Sequence, residues 1–133
     1  MKTVFDIITV VYDVLNVDMV TDLLTGGISR NKRPEKYASE QRTDIVIVPL
    51  TLSHSEDIVD SLPLNINIYA PTLGNNQVDE TKLNEITANV IEAILAHSNT
   101  NNYEIIEIGS QDLITDDREQ AYVNLRVNLY VEQ

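Results

Sequence analysis

The last segment of the chain alternates without a break. Ala121, Val123, Leu125, Val127, Leu129 and Val131 are apolar, and Tyr122, Asn124, Arg126, Asn128 and Tyr130 between them are polar or amphipathic. Successive side chains of an extended strand point to opposite faces, so a period of two assigns one face to a core and leaves the other to water or to a contact. Leu64, Ile66, Ile68 and Ala70 repeat the pattern around Asn65, Asn67 and Tyr69, and Pro71 closes it. Strands of this kind need a covering layer on one side only. That favours a largely antiparallel sheet with helices packed on one face.

The helices follow from a different period. Val4, Ile7, Ile8, Val11, Val14 and Leu15 recur at helical spacing behind Thr3 as N-cap. Asp18 is expected to cap a short helix through Met19, Val20, Leu23 and Leu24, ended by Gly26 or Gly27. Asp79 is expected to cap a long helix in which Leu83, Ile86, Val90 and Ile94 with neighbouring Ile91 and Leu95 form the buried stripe, closing near His97 and Ser98, where an imidazole suits the helix dipole. From Asp44 to Leu52 the apolar run Ile45, Val46, Ile47, Val48, Leu50 and Leu52 suits a central strand covered on both faces, with Pro49 pointing to an edge, a bulge or the strand's end. Ser53 to Asp57 and the surroundings of Asp116-Asp117 read as turns, Thr72 to Val78 as a surface loop, and Tyr103 to Ile108 as a further strand. With 133 residues, 43% of them hydrophobic, the chain has material for one core. The expectation is a single α+β domain over residues 1–133.

Charge is distributed unevenly. The formal net charge is -12, yet Arg30, Lys32, Arg33, Lys36 and Arg42 fall close together among only nine basic residues. This polar, Pro-containing stretch is expected to form a projecting loop or open hairpin, an arm at about 28–43. An acidic body with one basic projection is complementary to another copy of itself, so those five residues are candidate contacts to a neighbouring subunit or a connector. Tyr69, Tyr122, Arg126 and Tyr130 are further candidate contacts, because tyrosine, amide and arginine side chains together compose interaction surfaces. The plainer alternative is a solvated loop and a wet sheet face.

Little in the sequence points to chemistry. A pI near 4.3 argues against a broad grip on nucleic acid, although an acidic wall suits a passage through which DNA slides. There is no cysteine, hence no disulfide, thiol nucleophile or cysteine-based zinc site. Met1 to Asp6 lacks a signal-type apolar run and no stretch approaches membrane-spanning length, so a soluble protein folded in a cytoplasm is expected. Gly26-Gly27 has neither Walker nor dinucleotide-binding spacing and reads as a chain reversal. His54 lies between serines and before Glu56-Asp57, but adjacency in sequence is not the convergence in space that a catalytic triad requires. Carboxylate pairs such as Asp79-Glu80 and Asp116-Asp117 lack calcium-loop spacing. The expectation is no catalytic residue, no metal and no cofactor. The alternatives from other classes are a small cytoplasmic enzyme or ligand-binding protein using the wet sheet face or the His54 loop, and an inhibitor whose acidic surface imitates DNA.

The succession Leu23-Leu24-Thr25-Gly26-Gly27-Ile28, Arg33-Pro34, Asp44-Ile45-Val46-Ile47 and Leu64-Asn65-Ile66-Asn67-Ile68-Tyr69-Ala70-Pro71 resembles the tail-completion or tail-terminator proteins of tailed bacteriophages. The similarity extends over the helix from Asp79 to His97 and the strand from Tyr122 to Val131. It implies a virion structural protein, not an enzyme, assembled as a ring, typically a hexamer. Such a ring caps the tail tube or joins it to the head connector, and DNA passes through its lumen without specific binding. The related neck rings of short-tailed phages are implied equally. By the same resemblance the segment from Arg30 to Arg42 matches an extended loop that faces a neighbouring subunit or a connector. Replacing Arg30, Lys32, Arg33 and Lys36 together by glutamate is then expected to abolish assembly and leave the fold intact.

Overall fold

The computed structural model describes residues 3–54, 59–100, 103–115 and 120–132. Helix α1 spans Val4–Leu15, and Thr3 and Asp6 close a reciprocal capping box at its start, Thr3 Oγ1 accepting from the Asp6 amide at 3.2 Å and Asp6 Oδ2 from the Thr3 amide at 2.9 Å. Helix α2 is one turn, Asp18–Thr21, so Asp18 is its first helical residue and not its cap; Val17 holds the cap position without a side-chain bond. Strands β1 (Gly27–Arg30) and β2 (Asp44–Pro49) flank the one-turn helix α3 (Lys36–Ser39). Then come β3 (Ser53–His54), β4 (Val59–Tyr69), a 3-10 turn at Gly74–Asn76, α4 (Glu80–Thr100), β5 (Glu104–Ile114) and β6 (Tyr122–Glu132).

The strands form one six-stranded sheet in the order β1-β2-β4-β6-β5, with β3 pairing β4 beyond the end of β2. All pairings are antiparallel except β1 with β2. This is the α+β architecture that the two alternating segments require. Ile45, Ile47, Leu64, Ile66, Ile68, Leu125, Val127 and Leu129 turn to one face and are fully buried beneath Ile7, Ile8 and Val11 of α1 and Ile86, Val90 and Ile94 of α4. Asp79 starts α4 as expected, its Oδ1 accepting from the Lys82 amide at 3.1 Å, but Leu95 of the expected stripe lies off the buried face and is exposed.

Several boundaries differ from the sequence expectation for identifiable reasons. Ser53 and His54 pair with Ser61 and Asp60, so the expected turn contributes a short strand; Ser55 to Asp57 lie outside the described residues, as does the expected turn at Asp116-Asp117. Pro49 is the last residue of β2, so the strand stops short of the expected Leu52 and leaves Leu50 exposed. β5 runs six residues past Ile108 because a bulge at Gly109 lets pairing with β6 resume at Ser110.

The largest difference concerns residues 31–43. β1 and β2 run parallel, so the basic segment is a crossover and cannot be a hairpin. It is a loop with one helical turn, and both of its arginines, Arg33 and Arg42, are anchored to the body of the domain, as is Arg30 at the end of β1.

Candidate interaction surface

Pairing registers place side chains in rows across the sheet. On the face away from α1 and α4, one row runs Gly27, Asp44, Tyr69, Tyr122, Ile114, and the next runs Ser29, Val46, Asn67, Asn124, Asp112. A third places Val48, Asn65, Arg126 and Ser110 side by side. Cross-strand bonds join these rows: Asn124 Nδ2 donates to Asn67 Oδ1 at 2.7 Å, and Arg126 Nε to Asn65 Oδ1 at 2.7 Å. The Tyr69 and Tyr122 rings stack with centroids 4.7 Å apart. The expected polar face therefore exists as a bonded ladder, half-buried over β4 and β6 with Tyr130 at its far end opposite Ser61 and Ile105, but Tyr69 is buried at 7% exposure, which corrects its place among the candidate surface contacts.

The crossover folds over the β1-β2 end of this face. The Arg33 guanidinium lies 3.8 Å from the centroid of the Tyr69 ring and forks onto Asp44, with Nη2 to Oδ1 at 2.8 Å and Nε to Oδ1 at 3.1 Å. It also donates to the Gln120 side chain, whose amide nitrogen in turn donates to the Arg42 carbonyl at 3.1 Å. Asp44 is completely buried, and burial raises its carboxyl above the ordinary range while the Arg33 hydrogen bond and charge pull it back. Gly26 makes room for the arrangement, since a Cβ there would sit 2.9 Å from Asp44 Cβ and 3.0 Å from the Tyr37 ring.

The five basic candidates thus separate. Arg33 belongs to the buried cluster with Tyr69, Asp44 and Gln120. Arg42 donates to the Thr25 carbonyl at 3.1 Å and to Glu40 at 2.8 Å, and the Glu40 hydrogen bond holds its guanidinium even more firmly protonated than usual. Arg30 points to the helix face instead, donating to the Phe5 carbonyl and Thr9 Oγ1, each at 3.0 Å. Only Lys32 and Lys36 are exposed, Lys32 facing Glu35 at 3.5 Å. The expectation that four of these residues are dispensable for the fold is corrected for Arg30 and Arg33, which are bonded into it.

Asp44, Gln120 and Asp60 were not among the sequence candidates. A lone acidic residue at a strand start or in a strand carries no local sign that its partner lies far along the chain. Asp60 is buried and receives His54, Nδ1 to Oδ1 at 2.7 Å. Ser53 pairs opposite Ser61 and His54 opposite Asp60, so Ser53 and His54 side chains take opposite faces of the sheet, which separates the serine from the imidazole. At the end of α4, His97 Nε2 meets Glu104 at 3.2 Å, adding a specific partner to the expected position near the helix end. Between α4 and β5 lies a groove of about 210 Å³ lined by Val78, Leu83, Thr87, Leu113 and Val123, with Thr87 Oγ1 making no hydrogen bond among the described residues.

Among the described residues no three His, Cys, Asp or Glu side chains are grouped to hold a metal ion, and no helix is long and apolar enough to cross a membrane. No protein-family model matches this chain, and no curated protein matches it.

Proposed function

We propose that this chain is a structural protein of a tailed-bacteriophage virion that closes into a ring, as a tail terminator or completion protein or as a neck ring at the head-tail junction. The observation that carries the reading is the architecture of the sheet: α1 and α4 pack on one face, the half-buried β4-β6 ladder lies on the other, and the sheet ends in two terminal strands, β1 and β5. Tyrosine, asparagine and arginine on a rigid sheet form a surface suited to protein contact. A head-to-tail contact between unlike patches closes into a ring when the rotation per subunit fits. The net charge of -12 suits a lumen that DNA traverses without adhering. The resemblance over the Gly-Gly turn, the Arg-Pro dipeptide and the two alternating strands supplies the virion assignment. In this reading the partners are other copies of the chain and the connector and tail proteins, and the protein is made in the host cytoplasm and resides in the virion.

The test is light-scattering mass across a concentration series, with and without magnesium, followed by negative-stain imaging. Particles with a central hole and a mass that is a multiple of 15.0 kDa are expected. A compact assembly without a hole contradicts the ring. The alternative of a small enzyme or ligand-binding protein draws on the oriented His54–Asp60 pair. It requires a small molecule retained in native mass spectrometry and lost in His54→Ala.

A further inference from the structure

Edge strands of chains that remain alone are commonly short, or are blunted by lysine, proline or a covering segment. β5 is the last strand of the sheet and runs eleven residues. It contains neither lysine nor proline. Its side chains include Ile105 at 49% and Leu113 at 52% exposure, and nearly the whole second half is exposed. The charges along it have one sign: Glu107 and Asp112 are exposed, and no Lys or Arg occurs between Tyr103 and Thr115.

The opposite end of the sheet carries the complement. β1 is terminal there, and Lys32 and Lys36 stand exposed in the crossover that follows it, Lys32 sharing its charge with the exposed Glu35 at 3.5 Å and Lys36 and Arg30 carrying the excess. Arg30, in β1 itself, bonds a carbonyl and a hydroxyl, neither of which neutralises its charge. Beside it Phe5 is 62% exposed, an apolar group on the same flank. A basic edge with an exposed aromatic and an acidic edge with exposed aliphatics thus terminate one rigid sheet.

We infer that the β5 edge of one copy is the docking surface for the β1 edge of a second copy, with Lys32 and Lys36 of one subunit set against Glu107 and Asp112 of the next. This deepens, and rests on, the ring reading. The two patches are unlike and lie at opposite ends of the sheet, as a head-to-tail contact that propagates around a ring requires. The exposed pairs contribute little individually, so they select the partner and its register while the apolar side chains and the strand edge supply cohesion.

The test is a charge exchange at four exposed positions. Lys32→Glu with Lys36→Glu, and separately Glu107→Lys with Asp112→Lys, each set like charges across the contact. Each pair is expected to raise the concentration of half-assembly at least about tenfold while leaving the circular dichroism and melting curve of the monomer unchanged. The four substitutions in one chain, or an equimolar mixture of the two double variants, restore opposite charges at every contact and are expected to restore assembly. A wild-type ring indifferent to both exchanges, or no recovery in the fourfold variant, overturns the edge contact and leaves the ring reading standing. A wild-type chain that is monomeric at every concentration overturns both.

Discussion

The crossover between β1 and β2 and the outer strand β5 reverse their apparent importance between sequence and structure. The crossover holds four of the nine basic residues, yet its two arginines are bonded to the Thr25 carbonyl, to Glu40, to Gln120 and to the buried Asp44. β5 has an unremarkable composition, yet it presents exposed apolar and acidic side chains along a terminal edge. Charge density locates where electrostatics act. Burial and partners decide whether they act within the subunit or between subunits.

Removing the Arg33 guanidinium tests the inward half of this comparison most severely. Arg33→Met leaves Asp44 in the interior without its counter-charge, and urea denaturation at pH 7 is expected to show a loss of about 3–5 kcal/mol. The loss has a definite pH dependence. Burial raises the Asp44 carboxyl in the folded chain above its unfolded value, so the fold takes up a proton there at higher pH than the unfolded chain does. Its contribution to stability therefore grows as pH falls through the folded value towards the unfolded one, and is least favourable above that window. Because a protonated Asp44 does not require the guanidinium, the gap between wild type and Arg33→Met is expected to narrow on acidification. A gap that widens as pH falls contradicts the assignment.

A smaller loss is expected on the uncovered ladder. Tyr122→Leu keeps an apolar side chain on the strand and removes the stack on Tyr69, which contributes about 0.5–1.5 kcal/mol beyond area. Thermal melting checks it, and an unchanged midpoint means that the stack adds nothing to the fold. The smallest effects on stability belong to the exposed residues at the two ends. Lys36→Ala and Leu113→Ser are each expected within about 0.5 kcal/mol of wild type. Their effect on assembly runs the other way: both shift the sedimentation profile towards the monomer.

The faces of the sheet were legible in the sequence because a period of two survives through residues 64–70 and 121–131 without interruption, and α4 was legible from its stripe and its Asp79 cap. The second half of β5 was not, since Gly109-Ser110-Gln111-Asp112 breaks the apolar pattern where the bulge re-registers the strand. The parallel pairing of β1 was also hidden: a four-residue strand carries too little pattern to distinguish a crossover from a hairpin. The inward turn of Arg33 depends on Asp44 and on Gln120, the latter 87 residues away in the chain, and no local signal connects them. Arg126 and Tyr122 were read correctly as lying on the polar face because that face follows from alternation alone.

The most direct measurement uses the absence of cysteine, which makes any introduced thiol unique. Lys32→Cys and Asp112→Cys variants are oxidised separately and as an equimolar mixture, at a concentration where the wild type is assembled. A head-to-tail contact between the β1 and β5 edges is expected to give covalent dimers in the mixture and only monomers from either variant alone. Dimers from one variant alone would mean that like edges meet. A mixture that stays monomeric while the unoxidised rings persist would mean that subunits meet through surfaces other than these edges.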